Sequence, residues 1–247
     1  MTSGDFTHQA KHYAAGRPSY PPGIPDDLLA LTQAAPGDPV ADIGAGTGLF
    51  TRLLSGRGLR VTAVEPTAEM RLHAPELPDV VWRAGTFEES GLETASQQWV
   101  VSAQAFHWAD PPRALPEMHR ILRPGRALTA LRQHPVSEGN AVLQWAEECR
   151  RRLVPQGARG SGGEDWPTLL QSTGHFGGLV ETQRSHVITN TRECYLEGLR
   201  SYHRLAEEAG PERMDAYIRE VAGYLEREGI ESFDVTWVCT AWTVWAR

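Results

Sequence analysis

A strand-like run, Pro39-Val40-Ala41-Asp42-Ile43, passes directly into Gly44-Ala45-Gly46-Thr47-Gly48 and then into residues 49–56, LFTRLLSG, which read as a helix. Glycines at alternate positions let a main chain turn sharply and come close to a ligand, and the start of a helix offers amide N–H groups with no partner of their own. A loop of this kind suits a nucleotide. Glu65 ends the next strand-like run, 19 residues after Gly46. An ionised carboxylate there can accept hydrogen bonds from both hydroxyls of a ribose, and the pair is far more specific than the glycines alone. The spacing disfavours a pyrophosphate: a dinucleotide loop follows GxGxxG, its last glycine bringing helix against strand, but here Leu49 stands three positions after Gly46.

These residues need a scaffold, and the chain supplies one. Strand-like runs at 39–43, 59–65, 80–84, 98–105 and 126–133 alternate with helix-like stretches, and 185–189 and 233–247 turn β-rich again. The alternation predicts an α/β fold, a parallel sheet covered by helices. Pro25 followed by Asp26 and Asp27 begins a helix, and Pro111 to Leu122 is a second, separated from the following strand by the breaker Arg123-Pro124-Gly125. Three parts fall outside this rhythm: a cap segment at 1–24, residues 134–178 with a helix near Asn140–Leu153 and the loop GARGSGG, and the helical stretch 193–230 broken at Gly210-Pro211. We expect lids there, within one domain spanning 1–247.

The motifs resemble those of class I S-adenosylmethionine-dependent methyltransferases, over essentially the whole chain. DIGAGTG, with Asp42 two positions ahead of Gly44, is similar to the first motif; VEPTAEM (64–70) to the second; AGTFEESGL (84–92) to the third; SAQAFHWAD (102–110) and LPEMHRILRPGRAL (115–128) to the region after strand four. The opening FTHQAKHYAAGRPSYP is typical of the small-molecule branch that includes methyltransferase type 11 and trans-aconitate methyltransferase-like proteins. The resemblance implies a Rossmann-like seven-stranded sheet in the order 3-2-1-4-5-7-6, its last strand antiparallel, with helices on both faces and a helical lid. It implies that S-adenosylmethionine is held by Asp42, Gly44, Ala45, Gly46, Thr47 and Gly48, by Glu65 on the ribose, by Pro66 and Met70 beside the adenine, by Gly85, Thr86 and Phe87, and by Ala103 and Gln104. Tyr13 and Arg17 would help close the pocket, Arg17 as partner of the methionyl carboxylate. Two positions depart from the pattern: Thr86 stands where many relatives have Asp, and Arg126 replaces the common second glycine of LRPGG.

The sulfonium already activates the methyl group, so the protein's task is to hold an acceptor atom in line and exclude water, with no metal required. If the acceptor must lose a proton, His107 in QAFHWAD stands near the end of strand four with a suitable ordinary pKa. Tyr20, Trp108, Trp145, Trp166, Tyr195, Tyr202 and His203 are candidate acceptor contacts in the irregular parts, with His134 and Glu138 as spare acid or base groups.

Composition narrows the partners. A formal charge of −7 argues against a nucleic-acid partner, and the compact basic run Arg150-Arg151-Arg152 reads as the solvated end of a helix. No NPPY-like motif follows strand four, which disfavours an RNA or protein methyltransferase; a cofactor-binding protein without transfer is the other alternative. Cys149, Cys194 and Cys239 are odd in number and widely spaced, so neither a disulfide framework nor a zinc site is expected. With no apolar run of signal or membrane-spanning length, a cytoplasmic protein without a membrane partner is expected; the oligomeric state is open.

Overall fold

Val40–Ile43 and Gln97–Ser102 are buried along their length, on both faces of the strands that carry them. Such strands belong in the middle of a sheet covered on both sides. The computed structural model describes residues 18–153, 165–200, 205, 206 and 209–247, and places these strands there. β1 (Pro39–Ile43) pairs in parallel with β2 (Arg60–Val64) and β4 (Gln97–Ala103); β3 (Val80–Arg83) flanks β2, and β5 (Leu122–Pro135) flanks β4. β7 (Ser232–Ala246) inserts antiparallel between β5 and β6 (Phe176–Thr191). The order is therefore 3-2-1-4-5-7-6 with the last strand antiparallel, as the resemblance implies.

The period of two sorts the side chains. Ala41, Ile43 and Val100 enter one core with Met118 of α4 (Pro111–Ile121) and Trp166 of α6 (Trp166–Gln171). Val40, Trp99 and Val101 enter the other, with Leu28 of α1 (Ile24–Thr32) and Leu54 of α2 (Thr51–Leu54). Each large aliphatic side chain so buried contributes about 1.5–3 kcal/mol. α3 (Ala68–Leu72) follows β2. α5 (Ala141–Leu153), α7 (Arg192–Arg200) and α8 (Pro211–Arg227) gather on a third core built from Val142, Ala146, Leu199, Tyr217 and Val221. α8 begins at the expected Gly210-Pro211 break.

Two expectations need correction. The breaker Arg123-Pro124-Gly125 does not separate helix from strand: Leu122 already pairs with Gln97, and Ala127 resumes opposite Trp99 across an irregularity. A bulge absorbs Pro124, which has no N–H to give a ladder. The helix after the glycine loop is also much shorter than residues 49–56, only Thr51–Leu54, and just beyond its end the chain is held by Asp79. Its carboxylate accepts from the Ser55 hydroxyl at 2.5 Å and the Gly56 N–H at 2.7 Å.

The basic run lies in the last turn of α5. Arg150 pairs with Glu147, Arg151 with Glu148 and Arg152 with Glu220, all part-exposed. The three cysteines are free, Cys149 and Cys239 buried and Cys194 exposed, and burial pushes the Cys239 thiol up to about 12, leaving it unreactive.

A polar thread crosses the middle of the sheet. The Trp99 indole N–H donates to Thr129 Oγ1 at 3.0 Å, and Thr129 Oγ1 lies 2.9 Å from Thr243 Oγ1, all buried. Thr129→Val keeps the shape but leaves the indole donor and the Thr243 hydroxyl without this partner. We expect a loss of about 1–3 kcal/mol in urea unfolding; a change below about 0.5 kcal/mol would show that the thread contributes nothing.

Candidate active site

At the carboxyl ends of β1, β2 and β4 lies a cavity of about 400 Å³. Parallel strands leave a crevice at that end, where the loops after each strand meet. Gly44 to Thr47 come from the loop after β1, Glu65 to Thr67 and Met70 from the chain after β2, and Thr86 to Glu88 from the loop after β3. Ala103 ends β4, Gln104, Ala105 and Trp108 follow it, and Tyr20 reaches in from the N-terminal side.

Glu65 is 7% exposed and ties two of these loops together. Its Oε2 accepts from the Gly46 N–H and its Oε1 from the Thr67 N–H, both at 2.9 Å. Each oxygen has a second lone pair, so the carboxylate that shapes the loop keeps acceptor capacity for a ligand. The Arg71 guanidinium clamps the same corner by donating to the Glu65 and Pro66 carbonyls.

The glycines divide their work. Gly44, at φ +74°, is a packing glycine, since a Cβ there would lie 2.6 Å from that of Ala105 and 3.1 Å from the Phe87 ring. Gly46, at φ +57°, has nothing within 4 Å of a Cβ position, so it leaves open space in the cavity wall. That vacancy, beside a carboxylate with lone pairs to spare, is a cradle of the kind a ribose needs.

Neighbouring contacts hold the wall from behind. Thr86 Oγ1 accepts from the N–H groups of Glu88 and Glu89, at 3.2 and 3.0 Å, which fixes the turn after β3. The far side of that loop is anchored to α4: Glu117 Oε1 accepts from Ser90 N–H at 3.0 Å and Ser90 Oγ at 2.6 Å, and Arg120 donates to both Glu117 oxygens. Burial works to raise the Glu117 pKa, but the Arg120 and Ser90 bonds outweigh it and hold the carboxyl below the usual range. Asp42 is fully buried beneath the glycine loop, its Oδ2 accepting from Thr51 Oγ1 at 2.6 Å and its Oδ1 without a partner. Burial pushes its carboxyl up to about 7, against the lowering effect of the Thr51 bond and with a smaller push from Glu65.

Of the expected cofactor residues, Gly44, Ala45, Gly46, Thr47, Glu65, Pro66, Met70, Thr86, Phe87, Ala103 and Gln104 line this cavity. Asp42, Gly48 and Gly85 do not: Asp42 lies under the loop, a Cβ on Gly48 would meet Trp82, and one on Gly85 would meet the Ser90 carbonyl and Val64. They support the wall from behind. Tyr13, Arg17, Tyr202 and His203 lie outside the described residues.

The acceptor candidates scatter. Tyr20 and Trp108 line the cavity, while His107 is absent from its wall, its ring 4.9 Å from that of Trp108 and near-parallel to Trp166 at 6.4 Å. Trp145 stacks on Tyr224 and Tyr195 meets Phe233 edge-on, both against the helical core of α5, α7 and α8. Trp166 is fully buried in the sheet core, and His134 and Glu138 are exposed away from the cavity wall. Aromatic character alone could not separate these positions, because packing uses it as readily as binding does.

The sequence reading missed Leu49, Phe50, Thr67, Glu88, Ala105, Ala109, Asp110, Pro111 and Arg113. Most adjoin motif residues and were within reach. Glu88 and Asp110 meet where Asp110 N–H donates to Glu88 Oε1 at 2.9 Å, a contact across 22 residues that no local pattern announces. Among the described residues, no group of His, Cys, Asp or Glu is placed to hold a metal ion, and no helix is long and apolar enough to cross a membrane.

Residues 41–129 match a family model described as a methyltransferase domain. Over 117 residues the chain is 49% identical to an uncharacterized methyltransferase of Mycobacterium tuberculosis, covering 47% of this chain and 46% of that protein. Over 134 residues it is 40% identical to the malonyl-[acyl-carrier protein] O-methyltransferase of Pectobacterium atrosepticum, covering 52% and 53% respectively. The matches span about half the length of these relatives. In fold the chain is similar to a candidate type II methyltransferase from Anaeromyxobacter dehalogenans, with a TM-score of 0.65 and 22% identity over 92% of this chain and 97% of that one. It is also similar to Haemonchus contortus phosphoethanolamine N-methyltransferase 2 in complex with S-adenosylmethionine, with a TM-score of 0.52 and 18% identity over 98% and 60%.

Asp42 yields a signed pH prediction. The folded protein keeps its proton up to about pH 7, whereas the unfolded chain loses it near pH 4, so this group's stabilisation is complete below pH 4 and is lost as pH rises to 7. The stability of the wild type relative to Asp42→Asn should fall by roughly 4 kcal/mol across that window and then stay level. Urea midpoints at pH 4.5, 6 and 8 test this, and a constant difference would refute it.

Proposed function

From a methyltransferase domain at residues 41–129 within a class I methyltransferase fold, we propose that this chain transfers the methyl group of S-adenosylmethionine to a small-molecule acceptor. The observation that carries the reading is the carboxylate of Glu65, bonded to the Gly46 and Thr67 N–H groups at the rim of the open glycine cradle. When bound, the sulfonium supplies an electrophilic methyl carbon: the acceptor's bond to it forms as the carbon–sulfur bond breaks, the electron pair leaving with the sulfur of S-adenosylhomocysteine.

Everything else the chain does is binding and orientation. The free lone pairs of Glu65 take the two ribose hydroxyls, while Pro66, Met70 and Phe87 offer the base an apolar flank. Thr86 serves by fixing its turn, since its hydroxyl oxygen already accepts two N–H groups. Trp108 and Tyr20 wall the cavity and exclude water from the path of transfer. Holding donor and acceptor in line supplies up to about 7–11 kcal/mol in ideal intramolecular models.

His107 backs Trp108 on this reading, rather than taking a proton from the acceptor. A carboxylate acceptor, which attacks without losing a proton, fits a wall to which the described residues bring no imidazole. The malonyl-[acyl-carrier protein] O-methyltransferase relative favours a second reading, in which the acceptor is carried on an acyl carrier protein.

Calorimetric titration with S-adenosylhomocysteine should give a saturable heat, reduced about 10- to 100-fold in affinity by Glu65→Ala through loss of charge-assisted bonds of about 1.5–3 kcal/mol. Absence of heat from the wild type, or unchanged affinity in the variant, would reject the site. With methyl-labelled donor and a metabolite extract, label should pass a small-pore filter as a methylated product, and label retained on a carrier-protein thioester would instead select the second reading.

A further inference from the structure

We infer that Gln133 is a positioning residue that fastens two parts of the cavity wall and so sets the grip on the amino-acid end of the methyl donor. The inference rests on the S-adenosylmethionine reading above. Gln133 lies near the carboxyl end of β5, two residues beyond Leu131, which pairs with Ala103 in the cavity wall. It is absent from that wall itself.

Its main chain holds the loop after β4. Gln104 lines the cavity at φ +56°, a conformation that side-chain-bearing residues adopt only when their surroundings impose it. The imposition is visible: the Gln104 N–H donates to the Leu131 carbonyl at 2.8 Å, and its Nε2 donates to the Gln133 carbonyl at 3.0 Å. β5 thus dictates where the wall after β4 stands.

Its side chain holds the N-terminal approach. Gln133 Nε2 donates to the Pro18 carbonyl at 2.9 Å, two residues ahead of Tyr20. Tyr20 is 5% exposed, meets Phe50 edge-on at 5.2 Å, and lines the cavity together with it. The other half of the amide does nothing for the fold: Gln133 is 6% exposed, and its Oε1 is buried with no partner. A leucine would spare the protein that orphaned acceptor, so what the position gains from glutamine is the donor to Pro18.

On the proposed reading Glu65 and the chain after β2 and β3 take the nucleoside, and Gln104 and Tyr20, which line the cavity from the loop after β4 and from the N-terminal side, would face the part of the donor beyond it. Loosening Gln133 should therefore weaken binding of the amino-acid portion and spare the nucleoside. The test is calorimetry on the full chain with two probes, S-adenosylhomocysteine and 5′-methylthioadenosine, which lacks the amino-acid portion, for wild type, Gln133→Met and Gln133→Glu. Gln133→Met removes the donor at similar size; Gln133→Glu turns an acceptor toward the Pro18 carbonyl.

We expect at least a tenfold loss of S-adenosylhomocysteine affinity in Gln133→Met, a larger loss in Gln133→Glu, and 5′-methylthioadenosine affinity within twofold of wild type in both. Equal losses for the two probes would reveal general loosening and overturn the inference, as would wild-type affinity for both. Should Gln133→Glu fail to fold, Gln133→Met alone decides. A wild-type protein that binds neither probe would instead sink the functional reading on which the inference stands.

Discussion

The site depends on one buried carboxylate accepting two main-chain N–H groups. Glu65 draws Gly46 of the loop after β1 and Thr67 of the chain after β2 onto its two oxygens, and so fixes the separation of adjacent strand ends. A buried charge is costly unless hydrogen bonds satisfy it, and these bonds supply that compensation while using only half of its lone pairs. The atoms that set the shape of this corner thus keep acceptor capacity toward the cavity.

Around that corner, each wall of the cavity is held by something outside it. Arg71 clamps the main chain at Glu65, Glu117 and Arg120 anchor the loop after β3, and the carbonyls of Leu131 and Gln133 impose a left-handed conformation on Gln104. Such a conformation costs on the order of 1–3 kcal/mol and persists only when neighbours over-determine it. Asp42 carries a similar burden beneath the glycine loop, with one oxygen held by Thr51 and the other unpartnered. The sheet can bear these costs because its central strands are buried on both faces.

The half of the chain after β5 is built on different physics. β5, β6 and β7 run 14, 16 and 15 residues, and the helices between them assemble a separate apolar core. Trp145 and Tyr195 belong to that core, whereas Trp108 and Tyr20 reach the cavity, so four aromatics of similar chemistry divide between the helical core and the cavity wall by position alone.

How much was legible follows from this division. The strands, the loop from Gly44 to Thr47 and Glu65 could be read directly, because hydrophobic alternation and turn residues are written locally and a nucleotide-type loop needs fixed residue types at fixed spacing, whereas Pro66, Thr86 and Phe87 came only from the resemblance to a family. Gly48 and Gly85 belong to the same motifs yet face away, since spacing records where a glycine is needed and not whether a ligand or a neighbouring side chain requires it. The short helix after the loop, the bulge that absorbs Pro124, the meeting of Glu88 with Asp110 and the reach of Gln133 to Pro18 were decided only in three dimensions. Each depends on residues brought together from far along the chain, 115 positions apart for the last, and a contact of that kind leaves no periodic trace in either segment. Sequence alone determined the sheet and the type of loop it presents; tertiary packing decided which side chains that loop and its neighbours turn toward the cavity.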